Sequence, residues 1–243
     1  MGSYLDRYLE GDREQVWFEL FNLGGAIRSA PLFSDALAVT EETMTRVREN
    51  IKELIKRLDN LGYKFGVYPL DGSRVDGYVK PYNPPPSNIS IRISEYETLD
   101  GIKLLPLSLR VFWEVVGDVD FTGYHPMFPQ SSDPLIIYPV EAIDATYSSW
   151  RFSVDEGDVE AGQFLVPLAP DYYHKDNVSG GSPYGLRVPN VAIDGIFENE
   201  RLQTTFVNYL RICFRYGGFP GLQWSKQPIR KEILALTDGL LPI

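Results

Sequence analysis

The stretch LPLSLRVFWEVVGDVDF, Leu105–Phe121, decides how the rest of the chain is read. Leu109, Phe112, Trp113 and Val116 recur at helical spacing and define one apolar face. Pro106 stands at the start, where a missing N–H costs nothing, and Gly117 stands at the end. Asp118 to Phe121 then continues as a short strand. A helix running directly into a strand at mid-chain calls for a domain in which helices pack on a sheet.

Working outward toward the N-terminus, Val16, Leu20, Leu23 and Ile27 fall on one helical face, interrupted by Gly24 and Gly25, and Pro31 marks a break. A second helix is expected from Thr40 as N-cap, with Glu41 and Glu42 in its first turn and Gly62 as its stop. Val47, Ile51, Leu54, Ile55, Leu58 and Leu61 form its buried stripe. Residues 66–88 hold five prolines and three glycines, which favours a surface loop or a join over regular structure. Asn88 to Tyr96 alternates, with Ile89, Ile91 and Ile93 on one side and Ser90, Arg92 and Ser94 on the other, and reads as a half-buried strand.

Beyond the opening stretch, HPMFPQSSDP is a turn-rich loop, and LIIYPV, Trp150 to Val154, FLVPLAP, LRVPN and IDGIF are read as extended pieces. DEGDVEAG is an acidic loop whose spacing does not match a calcium loop. A third helix is expected from Glu200 to about Tyr216, with Leu202, Phe206, Tyr209, Leu210 and Cys213 on one face and Gly217–Gly218 as its stop. FPGLQW is a loop, and a last helical turn or two follows in IRKEILALTDGLLPI. Strands are grouped rather than alternating with helices, so the fold class is α+β, with a mainly antiparallel mixed sheet. The division expected is an N-terminal helical extension, 1–87, packed on an α+β domain, 88–243, or one domain over 1–243.

A net charge of −10 repels phosphate backbones, which excludes nucleic acid and anionic membrane as general partners and suits a basic one. One cysteine, Cys213, and two histidines, His125 and His174, leave no intrachain disulfide and no Cys- or His-rich metal centre, and no cofactor is expected. The opening MGSYLDRYLEGDREQ has neither a basic n-region nor an apolar h-region, so the expected compartment is the cytoplasm. Fifteen tyrosines supply rings for a core and for recognition.

Three pieces in order resemble the SMI1/KNR4 (SUKH) superfamily. LPLSLRVFWEVVG looks like its short helix that begins with a Leu-Pro step and ends in glycine. DPLIIYPVEAI and FLVPLAPD, followed by NVSGGSPYGLRV, are similar to its Ile/Val-Pro strand, glycine-containing turn and following strand. FVNYLR is similar to its closing Phe-x-x-Leu helix. The resemblance spans about residues 100–216 and leaves the first hundred as an elaboration. It implies helices packed on a sheet and no catalysis. Bacterial members bind and neutralise toxins as immunity proteins, and eukaryotic members act as signalling or scaffold proteins.

On that basis the expected role is protein binding, with a basic toxin domain as partner. The contact residues expected lie along the sheet edge and in two loops. They are Tyr124, His125 and Asp133 in the first, and Tyr172, Tyr173, His174, Lys175, Asp176 and Asn177 in the second, with Tyr184 just beyond it. A rival is a small hydrolase using His174 with Asp171 or Asp176, with Asp194 and Glu200 close by, since a histidine beside carboxylates can serve acid–base chemistry. A third possibility is a small-ligand pocket lined by Tyr172, Tyr173 and Tyr184.

Overall fold

The computed structural model describes residues 2–226 and 228–243. Its first helix, α1 (Tyr4–Glu10), opens with a reciprocal cap. The Ser3 hydroxyl accepts the Asp6 N–H, and the Asp6 carboxylate accepts the Ser3 N–H. In α2 (Arg13–Asn22), Val16 and Leu20 are buried as expected, but the helix stops before the glycine pair. Gly24–Arg28 continues as a 3-10 turn that still delivers Ile27 to the core.

The long helix α3 (Leu32–Leu61) begins directly after Pro31, not at Thr40. Thr40 is interior and buried, and its hydroxyl donates to the Ala36 carbonyl at 2.7 Å. A threonine whose hydroxyl is satisfied one turn back does not need to end the helix. Ala36, Val39 and Met44 extend the stripe of Val47, Ile51, Leu54 and Leu58 toward the N-terminus, and Gly62 closes the helix.

After β1 (Lys64–Phe65) the proline-rich segment is largely irregular and contributes only β2 (Tyr82–Asn83). Residues 89–96, expected as a strand, are helix α4 (Ile89–Tyr96). Three isoleucines at every second position fit a strand, but the outer two are also one helical turn apart. The helix buries Ile89 and Ile93 together and leaves Ile91 64% exposed.

Helix α5 (Leu107–Val115) is the element read from the opening stretch. Leu107, Leu109, Val111, Phe112 and Trp113 are all buried, and the Trp113 indole N–H donates to the Tyr138 carbonyl at 2.9 Å. Gly117 has φ 97°, and a Cβ there would lie 2.2 Å from the Asn83 carbonyl oxygen, so both backbone sign and space require glycine. The chain then forms β3 (Asp118–Asp120), β4 (Gly123–Tyr124) and β5 (Ile136–Ile137).

Trp150–Val154, expected as a strand, is the last part of helix α6 (Ala142–Asp155). Tyr147 and Trp150, one turn apart, rest on Phe164 at 5.6 and 5.4 Å, while Phe152 faces away, 66% exposed. β6 (Phe164–Ala169), β7 (Tyr184–Val188) and β8 (Phe197–Glu198) make an antiparallel sheet in that order. β3 lies between β2 and β5, and β1 pairs with β4, in every case antiparallel. Helix α7 (Phe206–Arg215) starts at the Thr205 cap rather than at Glu200, because Asn199 and Gln203 take left-handed φ values of 62° and 50°. Phe206, Tyr209, Leu210 and Cys213 are buried as expected, whereas Leu202 lies outside the helix. Pro220–Trp224 is a 3-10 turn, and α8 (Lys231–Leu234) supplies the final helical turn.

The architecture is α+β. Side chains of α3 hold the C-terminal segment by its backbone: Arg57 donates to the Leu236 and Asp238 carbonyls, and Asn50 exchanges hydrogen bonds with Leu241. Arg28 donates to the Leu105 and Val191 carbonyls at 2.7 and 3.0 Å. No helix among the described residues is long and apolar enough to cross a membrane.

Candidate functional site

Three segments meet at one end of the β6–β7–β8 sheet: 124–133, 171–177, and 220–226 with 228–230. Their junction has a buried layer and an open layer, and the two use the same residue types differently.

The buried layer centres on Lys175 and Asp133, whose side chains are both 0% exposed. The Lys175 Nζ donates to Asp133 Oδ1 at 2.6 Å and stands 4.8 Å from the Tyr184 ring centroid, while the Tyr184 hydroxyl donates to Asp133 Oδ2 at 3.4 Å. Next to them, Asp176 Oδ2 accepts the Ser131 N–H at 2.6 Å. Ser131 and Asp133 have φ 61° and 57°, and the turn they make is met by Gly221, whose N–H donates to the Ser132 carbonyl. A Cβ on Gly221 would lie 2.2 Å from the Ser131 carbonyl oxygen. Glu200 is buried here as well: one oxygen accepts the Leu202 N–H at 2.8 Å and the other has no partner. Burial and the neighbouring Asp133 charge push its carboxyl up to about 7, against the pull of Lys175. Burial likewise raises the Asp176 carboxyl.

Asp133, Lys175, Asp176 and Tyr184, expected as contact residues, are therefore internal fasteners. A desolvated ammonium needs a carboxylate at hydrogen-bonding distance, and once paired so it is not offered outward. Tyr184 cannot line a pocket with Tyr172 and Tyr173, because it lies behind them against Lys175.

The open layer lies above. The rings of Tyr172 and Tyr173 are 4.0 Å apart. The Arg201 guanidinium carbon is 4.6 Å from the Tyr172 ring centroid and 4.1 Å from that of Trp224. This stack forms one wall of a groove of about 550 Å³, completed by Pro126, Met127 and Pro129 on one side and by Leu222, Lys226 and Ile229 on the other. Arg201, Lys226 and Arg230 line it, and among the described residues no Asp or Glu does. Tyr173 and Trp224 are 47% and 38% exposed.

Sequence reasoning placed Arg201 inside a helix and Trp224 in a plain loop, and so missed both. Trp224 did carry a readable signal, being a tryptophan in a proline-bearing stretch outside any apolar stripe. Lys226 and Arg230 carried none.

His174 sits at the edge of the junction, half-exposed, and does not line the groove. Its Nδ1 bonds Asp171 Oδ2, and Asp171 Oδ1 accepts the Tyr173 N–H at 2.9 Å. Burial raises the Asp171 carboxyl, but the His174 and backbone bonds outweigh it and hold it below the ordinary range. Among the described residues no hydroxyl or thiol is bonded to the His174 ring. Cys213 is fully buried, and burial raises its thiol. Asp194 and Glu200 do not join the pair. Asp194 is buried and takes the Ser108 hydroxyl and the Gly195 and Val207 N–H groups.

Of the other expected residues, Tyr124 lies on β4, 40% exposed, outside the groove. His125 accepts the Met127 N–H through Nδ1 and leans on Phe128 at 6.3 Å, which fixes the loop whose next residues line the groove. Asn177, at φ 63°, reaches Asp71 at 3.3 Å. Among the described residues no group of three or more His, Cys, Asp or Glu side chains is arranged to hold a metal ion. Compared with family models, curated proteins and solved structures, the chain matches none.

Proposed function

We propose that this chain is a non-enzymatic protein-binding protein whose partner docks at the groove beside Arg201. The observation that carries this reading is the run of rings from exposed Tyr173 through half-buried Tyr172 to exposed Trp224, the last two stacked on one arginine. Tryptophan, tyrosine and arginine are the residues that dominate binding energy at interfaces. The buried Asp133–Lys175 pair anchors the segment that carries Tyr172 and Tyr173 before any partner arrives, which lowers the ordering cost of association.

The SUKH likeness supports the same role, in the form of a cytoplasmic immunity protein that neutralises a toxin. A basic toxin domain would not dock in the groove, where it would meet three cations. It fits instead the exposed acidic loop of Asp155, Glu156, Asp158 and Glu160. The hydrolase reading keeps the His174–Asp171 pair but lacks a nucleophile bonded to it.

Site-specific photo-crosslinking in cells tests the proposal. Benzoylphenylalanine in place of Tyr173 or Trp224 should trap a discrete partner protein, and the same probe in place of Ile91, exposed on α4, should not. Equal trapping at both places, or none at the groove, overturns the reading.

A further inference from the structure

Arginines on this acidic chain are commonly met by carboxylates. Arg7 pairs with Asp12 and Glu19, Arg110 with Glu97 and Glu114, and Arg187 with Glu198. Arg201, like Arg74, Arg215 and Arg230, has no such pair among the described residues, and it alone of these lies between two rings in a groove. Its recorded contacts are the two rings, and among the described residues its guanidinium has no ion pair and no hydrogen bond. Rings pack on the flat face of a guanidinium, so what remains is the in-plane N–H fork, the part that grips a carboxylate through two bonds. Lys226 and Arg230 add two more cations to the same groove without a carboxylate among its walls. With 33 Asp and Glu against 23 Lys and Arg in the chain, this is not a shortage of acids.

From this geometry we infer that the groove receives an acidic peptide segment of the partner protein. Its carboxylates meet Arg201, Lys226 and Arg230, and an apolar side chain rests on Met127, Leu222 and Ile229. The inference rests on the protein-binding reading above and specifies the chemistry of its partner at this site. A small inorganic anion would satisfy the cations but leave the apolar walls wet and most of the 550 Å³ unfilled. A basic segment would place like charge on three unpaired cations. A nucleic acid would carry its charge past the groove onto the rest of a chain of net charge −10, whereas a short acidic segment stays beside the three cations.

Panning a random peptide library against the intact chain tests this directly. Sequences rich in Asp and Glu with an apolar residue among them should be enriched. A synthetic peptide of that kind should bind about tenfold more weakly to Arg201→Gln and when its own Glu are changed to Gln. Lys226→Gln should lose less, and thermal unfolding of each variant checks that it is folded. Enrichment of neutral or basic sequences, no enrichment at all, or peptide binding unchanged by Arg201→Gln overturns the inference. Complete displacement of the peptide by inorganic phosphate at equal affinity also overturns it, since the groove is then a small-anion site. Crosslinking that persists at Tyr173 and Trp224 while acidic peptides fail removes only the partner's charge. Failure of both removes the protein-binding reading with it.

Discussion

Lys175 and Arg201 are both cations set against tyrosine rings, one buried beneath the groove and one lining it, and they play opposite parts. Lys175 is fully buried, its charge is met by Asp133 at 2.6 Å, and Tyr184 touches both. Arg201 is exposed, its two rings come from Tyr172 and Trp224, and among the described residues no carboxylate answers it. A cation satisfied inside the protein serves the fold, and one left unsatisfied at the surface is available to a partner.

Removing Lys175 should have the largest effect. Lys175→Ala leaves Asp133 buried with an uncompensated charge and should cost about 3–5 kcal/mol in denaturant unfolding. The paired change, Lys175→Met with Asp133→Asn, should recover most of that loss. Asparagine keeps the left-handed backbone at position 133 and can still accept the Tyr184 hydroxyl. If the single change costs no more than a surface substitution, Lys175 is not a fastener, and the contrast with Arg201 disappears.

Glu200, in the buried layer and next in sequence to Arg201, supplies the second prediction. Its folded-state carboxyl titrates at about 7 against an ordinary 4.5, so the folded protein holds the proton more tightly than the unfolded chain. The stability this contributes is complete below 4.5 and is lost as pH rises through about 7. Glu200→Gln removes that loss. The variant should be more stable than the parent by on the order of 1–2 kcal/mol above neutrality, with the gap closing as the pH falls toward 4.5. Urea midpoints across that range check it, and a gap that widens in acid would reverse the assignment.

The contrast between the layers also explains what could be read from sequence. Leu105–Phe121 was legible because a dense apolar face is bounded by Pro106 and Gly117, and both boundaries have a local physical cause. The face of α7 and the strand Phe164–Ala169 were legible for similar reasons. Ile89–Tyr96 was misread because residues two apart in a short run share a strand face, while the outer isoleucines also share a helix face. Only packing decides between the two. Lys175 was taken for a surface group because it stands in a polar cluster, and the carboxylate that buries it is 42 residues away. Arg201 was out of reach for the same reason. Its meaning comes from Trp224 and from an absent partner, and neither is written in the letters around it.

The smallest expected effect is the one on which the contrast depends most. Exposed cation–ring contacts each contribute about 0.5–1 kcal/mol, so with two of them Arg201→Ala should lower stability by no more than about 1–2 kcal/mol. Its denaturant midpoint should therefore sit close to the parent's, far from that of Lys175→Ala. A loss as large as that of Lys175→Ala would mean that Arg201 holds Tyr172 and Trp224 in the fold. The guanidinium would then be a structural bolt, and its freedom from carboxylates would say nothing about a partner. A small loss leaves the exposed rings and the unpaired fork without a role in folding, and it is that surplus which binding would use.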